Sequence, residues 1–146
     1  MLIILEGLDK CGKTTFAQNF AVDGTAIIKH STKEDDAVDV LAKYAPLANE
    51  RTVILDRSFL SEMTYGPVYR GEMRITPAKL MKITKLLHST PHIILYFSRP
   101  ENENKQYDST DEFEKDTEKL KLVEKRYKDY IARYKNRFNI YEIQYK

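Results

Sequence analysis

A short glycine-containing motif near the start of the chain constrains the fold more than any other feature. Residues 7–14 read Gly-Leu-Asp-Lys-Cys-Gly-Lys-Thr and match the pattern G-x-x-x-x-G-K-[ST]. The apolar run at residues 2–6 predicts a buried strand before this motif, and residues 13–22 predict a helix after it. A strand, a glycine loop and a helix start form the context in which backbone N–H groups surround phosphate groups. The motif therefore predicts a phosphate-binding loop.

The side chains of the loop are expected to bind different parts of the ligand. We expect Lys13 to contact the β- and γ-phosphates of a nucleoside triphosphate and the Thr14 hydroxyl to hold Mg²⁺. The residues expected around the triphosphate are Gly7, Asp9, Lys10, Cys11, Gly12, Lys13, Thr14 and Thr15.

Composition narrows the class of protein. The chain has 146 residues with 42% apolar residues, which fits one globular domain. No apolar run is long enough to span a membrane and no signal-like segment precedes the first strand, so we expect a cytoplasmic protein without membrane contact. The single cysteine excludes an internal disulfide. The net charge of +2 does not favour nucleic acid as a partner, and we interpret the basic stretch at 121–137 as a solvated helix face.

Hydrophobic patterning predicts strands and helices that alternate along the chain. Such alternation indicates an α/β domain with a parallel sheet and helices on both faces. In the last helix, three- and four-residue spacing predicts an inner face made of Phe113, Leu120, Val123, Tyr127, Tyr130 and Tyr134. The further strands are predicted at 25–30, 51–56, 91–98 and 138–143, and the further helices begin near 33, after Thr76 and at about 109, the last ending near 136.

A second polar motif follows the third predicted strand. Asp56 ends the apolar run 51–56 and Arg57 follows it, at the same edge of the sheet as the glycine loop. A carboxylate beside such a loop suits Mg²⁺ and its waters. A guanidinium can bind phosphate in a bidentate way and offset the repulsion between two phosphate groups that approach each other.

These residues resemble the thymidylate kinase and deoxynucleoside kinase group, including its small bacteriophage-encoded members. The segment 5–15 is similar to the thymidylate kinase loop, Asp56-Arg57 matches that group's pair after the third strand, and Ser61 and Tyr65 match its substrate-facing positions. The resemblance implies a three-layer P-loop kinase fold with a five-stranded parallel sheet. It also implies ATP and Mg²⁺ as cofactors and transfer of a phosphoryl group to a deoxynucleoside monophosphate.

The resemblance assigns roles on the acceptor side. It implies that Asp9 faces the sugar 3′-hydroxyl, that Arg57 binds the acceptor's α-phosphate and that Tyr65 lies under the sugar, where it crowds a ribose 2′-hydroxyl. It places Ser61 and Glu62 beside the base. From their chemistry, Tyr69 and Arg70 are additional candidates to line a base pocket through stacking and phosphate contact.

The segment that corresponds to the group's lid departs from the pattern. Tyr107-Asp108 loosely matches an aromatic–acid pair that contacts substrate, but Gln106 stands where the lid arginine is expected. One branch of the group has a basic residue in the glycine loop and needs no lid arginine, and Lys10 fits that branch. The expected catalytic residues are Lys13, Arg57, Asp56 and Lys10, and the expected metal ligands are Thr14 and Asp56.

Two other functions stay open. The short interval between the second and third strands opens the acceptor side, so a kinase of the same fold could act on a nucleoside or on a base or terminus within DNA. A regulatory protein that binds nucleotide without turnover is a further alternative, although an acceptor-side arginine such as Arg57 has no purpose in it. The sequence leaves the oligomeric state open, including a homodimer.

Overall fold

The computed structural model describes residues 1–9, 11–21, 24–99 and 117–144. Within these ranges the strands are β1 (Leu2–Gly7), β2 (Ile27–His30), β3 (Val53–Asp56), β4 (His92–Ser98) and β5 (Ile140–Gln144). The helices are α1 (Lys13–Phe20), α2 (Ala37–Tyr44), α3 (Phe59–Tyr65), α4 (Pro77–His88) and α5 (Thr117–Tyr134). A 3₁₀ turn (Ala45–Asn49) follows α2, and a π-helical turn (Gly66–Arg70) follows α3.

The five strands form one parallel sheet in the order β2-β3-β1-β4-β5. This arrangement confirms the predicted α/β fold with a five-stranded parallel sheet. All residues of the central strand β1 are buried, which is typical of a parallel strand covered on both faces. The carboxyl ends of β1 and β3 are neighbours, so the glycine loop and the Asp56-Arg57 pair meet at one edge of the sheet.

The inner face predicted for the last helix is confirmed from Leu120 to Tyr134, whereas Phe113 lies outside the described residues. Leu120, Val123, Tyr127, Tyr130 and Tyr134 are all buried in α5, and they belong to the main core. The ring of Tyr127 packs 5.2 Å, centroid to centroid, from that of Tyr96 in β4, so α5 covers the sheet near β1 and β4. The part of the predicted helix from 109 to 116 lies outside the described residues, and the helix ends at Tyr134 instead of near 136.

Two helical segments differ from the sequence expectation. Helix α2 begins at Ala37 and not near residue 33, because the Asp35 carboxylate accepts the Thr32 N–H at 2.7 Å and holds a polar turn there. The sequence predicted no helix after the Asp56-Arg57 pair. In the structure α3 begins soon after that pair, and the π-helical turn that follows α3 includes Gly66 and Pro67. A Gly-Pro pair usually ends a helix. Here the helical segment continues through the pair because the turn widens from the α-helical to the π-helical form.

No helix in the described ranges is both long enough and apolar enough to cross a membrane.

The N-terminus of α2 depends on Asp36. Its carboxylate accepts the N–H groups of Val38 at 2.9 Å and Asp39 at 3.1 Å, and it pairs with Lys79 Nζ at 2.9 Å. We expect Asp36→Ala to lower the free energy of unfolding by about 1 kcal/mol at neutral pH, the usual cost of a lost helix cap. The hydrogen bond from Lys79, followed by those from the helix N–H groups, lowers the pKa of Asp36 despite its partial burial.

The stabilising effect of the Asp36 cap should be lost at low pH. A lowered carboxyl pKa contributes stability above its ordinary value of 3.8, and that stability is lost as the pH falls through the folded-state pKa. The difference between wild type and Asp36→Ala should therefore shrink below pH 3.8 in urea unfolding. Asp39→Ala, at an exposed acid of the same helix, is the control and should cost less than half as much. An equal loss in both variants would contradict the capping role.

Candidate functional site

The glycine loop connects β1 to α1 at the centre of the sheet edge. Gly7 has φ 128°, and a Cβ atom there would lie 2.4 Å from the carbonyl oxygen of Phe97 in β4. Gly12 has φ 96° and immediately precedes α1. Side chains at these two positions would be strained, and at Gly7 a side chain would also collide with backbone. The glycines of the motif are thus required by the geometry of the loop itself.

Lys13 is the buried cation of the loop. Its side chain is nearly inaccessible, its Nζ donates to the carbonyl oxygen of Leu8 at 2.6 Å, and it lies 3.8 Å from Asp9 Oδ1. Burial, assisted by the nearby Arg57 guanidinium, lowers the pKa of Lys13 to about 8. Phosphate oxygens near this lysine would favour its charged form.

Arg57 is held in an unusual conformation beside the loop. Its φ of 76° is the one positive value at a non-glycine residue in the described ranges, and such strain is common at functional sites. Its Nη2 donates to Asp9 Oδ1 at 2.8 Å and its Nη1 to Ser61 Oγ at 3.2 Å. The guanidinium carbon lies 4.9 Å from the centroid of the Tyr65 ring. Asp9 therefore joins Lys13 of the loop to Arg57, the residue that follows β3.

Asp56 and Thr14 suit a divalent cation bound through oxygen atoms. Asp56 Oδ2 pairs with His30 Nδ1 at 2.9 Å, while Oδ1 is buried and has no hydrogen-bond partner among the residues described. Thr14 is exposed at the start of α1. Within the same ranges no three His, Cys, Asp or Glu side chains converge on a metal site. One carboxylate and one hydroxyl are what Mg²⁺ needs from the protein when it also binds substrate phosphates.

A cavity of about 350 Å³ opens beside Arg57. It gathers the predicted acceptor-side residues, and it adds a wall from the segment between β2 and α2 that the sequence did not indicate. The Tyr65 and Tyr69 rings stack with centroids 5.8 Å apart. The predicted residues in the lining are Asp9, Arg57, Ser61, Glu62, Tyr65, Tyr69 and Arg70, and the unpredicted ones are Ser31, Thr32, Lys33, Glu34, Asp35, Ala37, Val40 and Ser58.

Ion pairs tie one end of the cavity together. Arg70 pairs with Glu62 through Nη2, while its buried Nε has no partner in the described part of the chain. Arg74 lies 3.7 Å from the same carboxylate, and its Nη1 donates to the Lys33 carbonyl oxygen at 3.1 Å. Arg70 therefore brings to the cavity lining a guanidinium that is only partly satisfied within the described residues.

Glu6 is a site residue that sequence reasoning missed. It is fully buried in β1, and its carboxylate accepts the N–H groups of Ser58 at 3.0 Å and Ser61 at 3.2 Å. The Ser61 hydroxyl also donates to it, so Ser61 is engaged with Glu6 as well as lining the cavity. Burial raises the pKa of Glu6. An acid inside an otherwise apolar strand was the available signal, because such a group is buried only when it is hydrogen-bonded.

The remaining predicted residues have different outcomes. Cys11 is buried in the loop, whereas Thr15 is exposed on α1. Lys10 and Tyr107, together with the lid residue Gln106, lie outside the described residues. Their assigned roles stay predictions.

Comparisons with solved structures identify similar folds. The YorR protein from Bacillus subtilis, in complex with phosphorylated GDP, is 21% identical, and the match covers 99% of this chain and 85% of that chain with a TM-score of 0.73. Deoxyadenosine kinase from M. mycoides with bound dATP is 15% identical over 99% of this chain and 91% of that chain, with a TM-score of 0.60. Thymidylate kinase from Candida albicans is 16% identical over 98% and 83% of the two chains, with a TM-score of 0.58.

No family model matches the sequence, and no curated protein matches it. The structural likeness shows that the chain has the P-loop kinase fold, with a five-stranded parallel sheet flanked by helices.

The buried Lys13 should affect stability in a pH-dependent way. Since its pKa falls from 10.5 to about 8 on folding, the folded protein releases a proton that the unfolded chain retains between these values. Stability from this group therefore rises with pH across that window. We expect wild type to gain up to about 3 kcal/mol over Lys13→Met between pH 8 and 10.5, as measured by urea unfolding.

The matched control is Lys82→Met, at an exposed lysine on α4. If the free energy of unfolding changed with pH in the same way in wild type and in Lys13→Met, Lys13 would not be desolvated in the folded protein.

Proposed function

We propose that this chain is a kinase that transfers the γ-phosphoryl group of ATP to a deoxynucleoside monophosphate, in the manner of thymidylate kinases. The observation that carries the proposal is the shared carboxylate of Asp9, which lies 3.8 Å from Lys13 Nζ and 2.8 Å from Arg57 Nη2. A donor-side lysine and an acceptor-side arginine thereby converge beside one cavity. Phosphoryl transfer requires this convergence, because its catalysis consists mainly of positioning and charge stabilisation.

The donor side follows from the loop. The backbone N–H groups of the loop and the start of α1 would surround the triphosphate, with Lys13 at the β- and γ-phosphates. Thr14 and Asp56 would hold Mg²⁺, which supplies charge neutralisation on the phosphates when bound. The bond from the γ-phosphorus to the β–γ bridging oxygen breaks, a bond to the acceptor oxygen forms, and the acceptor oxygen gives up its proton if it carries one.

The acceptor side follows from the cavity. Arg57 would contact the acceptor's phosphate and the transferring group, Tyr65 would pack against the sugar, and Tyr69, Glu62 and Arg70 would surround the base. The structural neighbours named thymidylate kinase and deoxyadenosine kinase support an acceptor of the deoxynucleoside or deoxynucleotide class.

One observation favours a second candidate, a nucleoside acceptor. The cavity lining has three cations, Lys33, Arg57 and Arg70. Both arginines are already paired, Arg57 with Asp9 and Arg70 with Glu62. Because carboxylates already neutralise these two guanidinium groups, the cavity suits a neutral nucleoside better than a dianionic monophosphate.

A transfer assay decides between the candidates. The full chain is incubated with γ-³²P-ATP and Mg²⁺, together with each of four deoxynucleosides, their monophosphates, the corresponding ribonucleosides and a DNA oligonucleotide. Transfer to a monophosphate supports the first candidate, and transfer to a nucleoside supports the second. Tight ATP binding without transfer to any of these acceptors would contradict the kinase proposal.

Arg57 should serve the acceptor and the transition state more than the donor. We expect Arg57→Ala to lower kcat by about a hundred-fold or more while the dissociation constant of ATP changes less than a few-fold. Arg57→Lys should restore little, because a lysine cannot reproduce the bidentate geometry. Steady-state kinetics and ATP titration measure the two effects. An equal loss in both quantities would make Arg57 a donor-side or structural residue.

Tyr65 should discriminate the sugar. Its ring is held between Arg57 and Tyr69, so it cannot readily move away from a 2′-hydroxyl. We expect kcat/KM to favour a deoxyribose acceptor over its ribose counterpart, and Tyr65→Ala to narrow that preference. Equal kcat/KM values for the two sugars in the wild type would contradict this role.

A further inference from the structure

A hydrogen-bonded cluster of buried and half-buried side chains contacts Arg57. Glu6 is its centre and has no exposed surface, and it is not among the residues that line the cavity. Its Oε2 atom accepts the N–H groups of Ser58 and Ser61, which begin the segment following Arg57. The carboxylate of β1 thus fixes the backbone immediately after the strained residue.

Tyr127 reaches the same cluster from a distant part of the chain. Its hydroxyl donates to Glu6 Oε1 at 3.0 Å, lies 3.0 Å from Ser61 Oγ, and lies 3.5 Å from Arg57 Nη1. The residue is fully buried, and its ring packs against those of Tyr96 and Tyr65. The packed ring therefore holds the hydroxyl against Glu6, Ser61 and Arg57.

Arg57 needs such support. A positive φ at a non-glycine residue persists only when the surroundings over-determine it. The Arg57 N–H donates to the Leu5 carbonyl oxygen at 2.9 Å, which fixes its backbone on one side. On the other side, Glu6 holds Ser58 and Ser61, and Ser61 Oγ in turn accepts from Arg57 Nη1.

We propose that Tyr127, together with Glu6, is a positioning residue that aims the Arg57 guanidinium at the transferring phosphoryl group. This inference rests on the proposed kinase function for its effect on rate, but the geometric part stands independently of it. It assigns to α5 a contribution to catalysis that involves no contact with substrate.

The test removes one oxygen atom. Tyr127→Phe keeps the ring and its packing, and we expect kcat to fall about ten-fold while the dissociation constant of ATP stays within two-fold of wild type. Tyr134→Phe, at a buried tyrosine of the same helix whose ring packs against Phe138, is the matched control and should leave kcat unchanged.

A double-mutant cycle separates positioning from a general structural effect. In an Arg57→Lys background, Tyr127→Phe should lower kcat less than two-fold further, because its effect passes through the arginine. A merely structural tyrosine would lower the rate of both backgrounds equally, and that result would overturn the proposal. An unchanged kcat in the single Tyr127→Phe variant would overturn it as well.

A measurement without turnover keeps the two proposals distinguishable. In the protein labelled with ¹⁵N-arginine, the side-chain resonances of Arg57, assigned by their loss in Arg57→Lys, should shift or broaden in Tyr127→Phe and stay in place in Tyr134→Phe. If the resonances respond but no acceptor is phosphorylated, the kinase function fails and the positioning role stands. Unchanged Arg57 resonances in Tyr127→Phe would refute the positioning role whatever the activity.

Discussion

The central position of β1 is the constraint on which the rest of the site depends. Because β1 pairs with β3 on one side and β4 on the other, the glycine loop at its end has fixed neighbours on both sides. Contact with β4 excludes a side chain at Gly7, and contact with β3 delivers Asp56 and Arg57 to the same edge of the sheet. Strand order brings Lys13 and Arg57 close together. These two cations would repel each other if the Asp9 carboxylate did not lie within ion-pair distance of both.

The parts of the fold that the sequence predicted are those with local signals. The glycine spacing located the loop, the apolar runs located all five strands to within about two residues, and the three- and four-residue spacing identified the inner face of α5. The segment after Arg57 was missed because Gly66 and Pro67 are local signals for a helix end, while packing of α3 against α5 overrides them.

Site residues divide in the same way. Lys13 and Arg57 belong to local motifs and were predicted. Glu6 and Tyr127 are 121 positions apart and come into contact only when the chain folds. The cavity wall at residues 31–35 is a polar turn, and its composition does not distinguish it from an ordinary exposed loop. The pairing of Arg57 and Arg70 with carboxylates is a tertiary property too, and it supports the proposal of a nucleoside acceptor, which the sequence resemblance to thymidylate kinases does not.

The position of the wall at residues 31–35 has a consequence for the acceptor cavity. It lies on a connection between β2, at the edge of the sheet, and α2, whereas hydrogen bonds join Lys13 to Leu8, Glu6 to Ser58 and Arg57 to Ser61. Surface connections tolerate insertion and replacement far better than strands do. In the proposed kinase, a substitution in this short turn can therefore reshape one wall of the acceptor cavity and leave unchanged the residues that the proposal places at the phosphates.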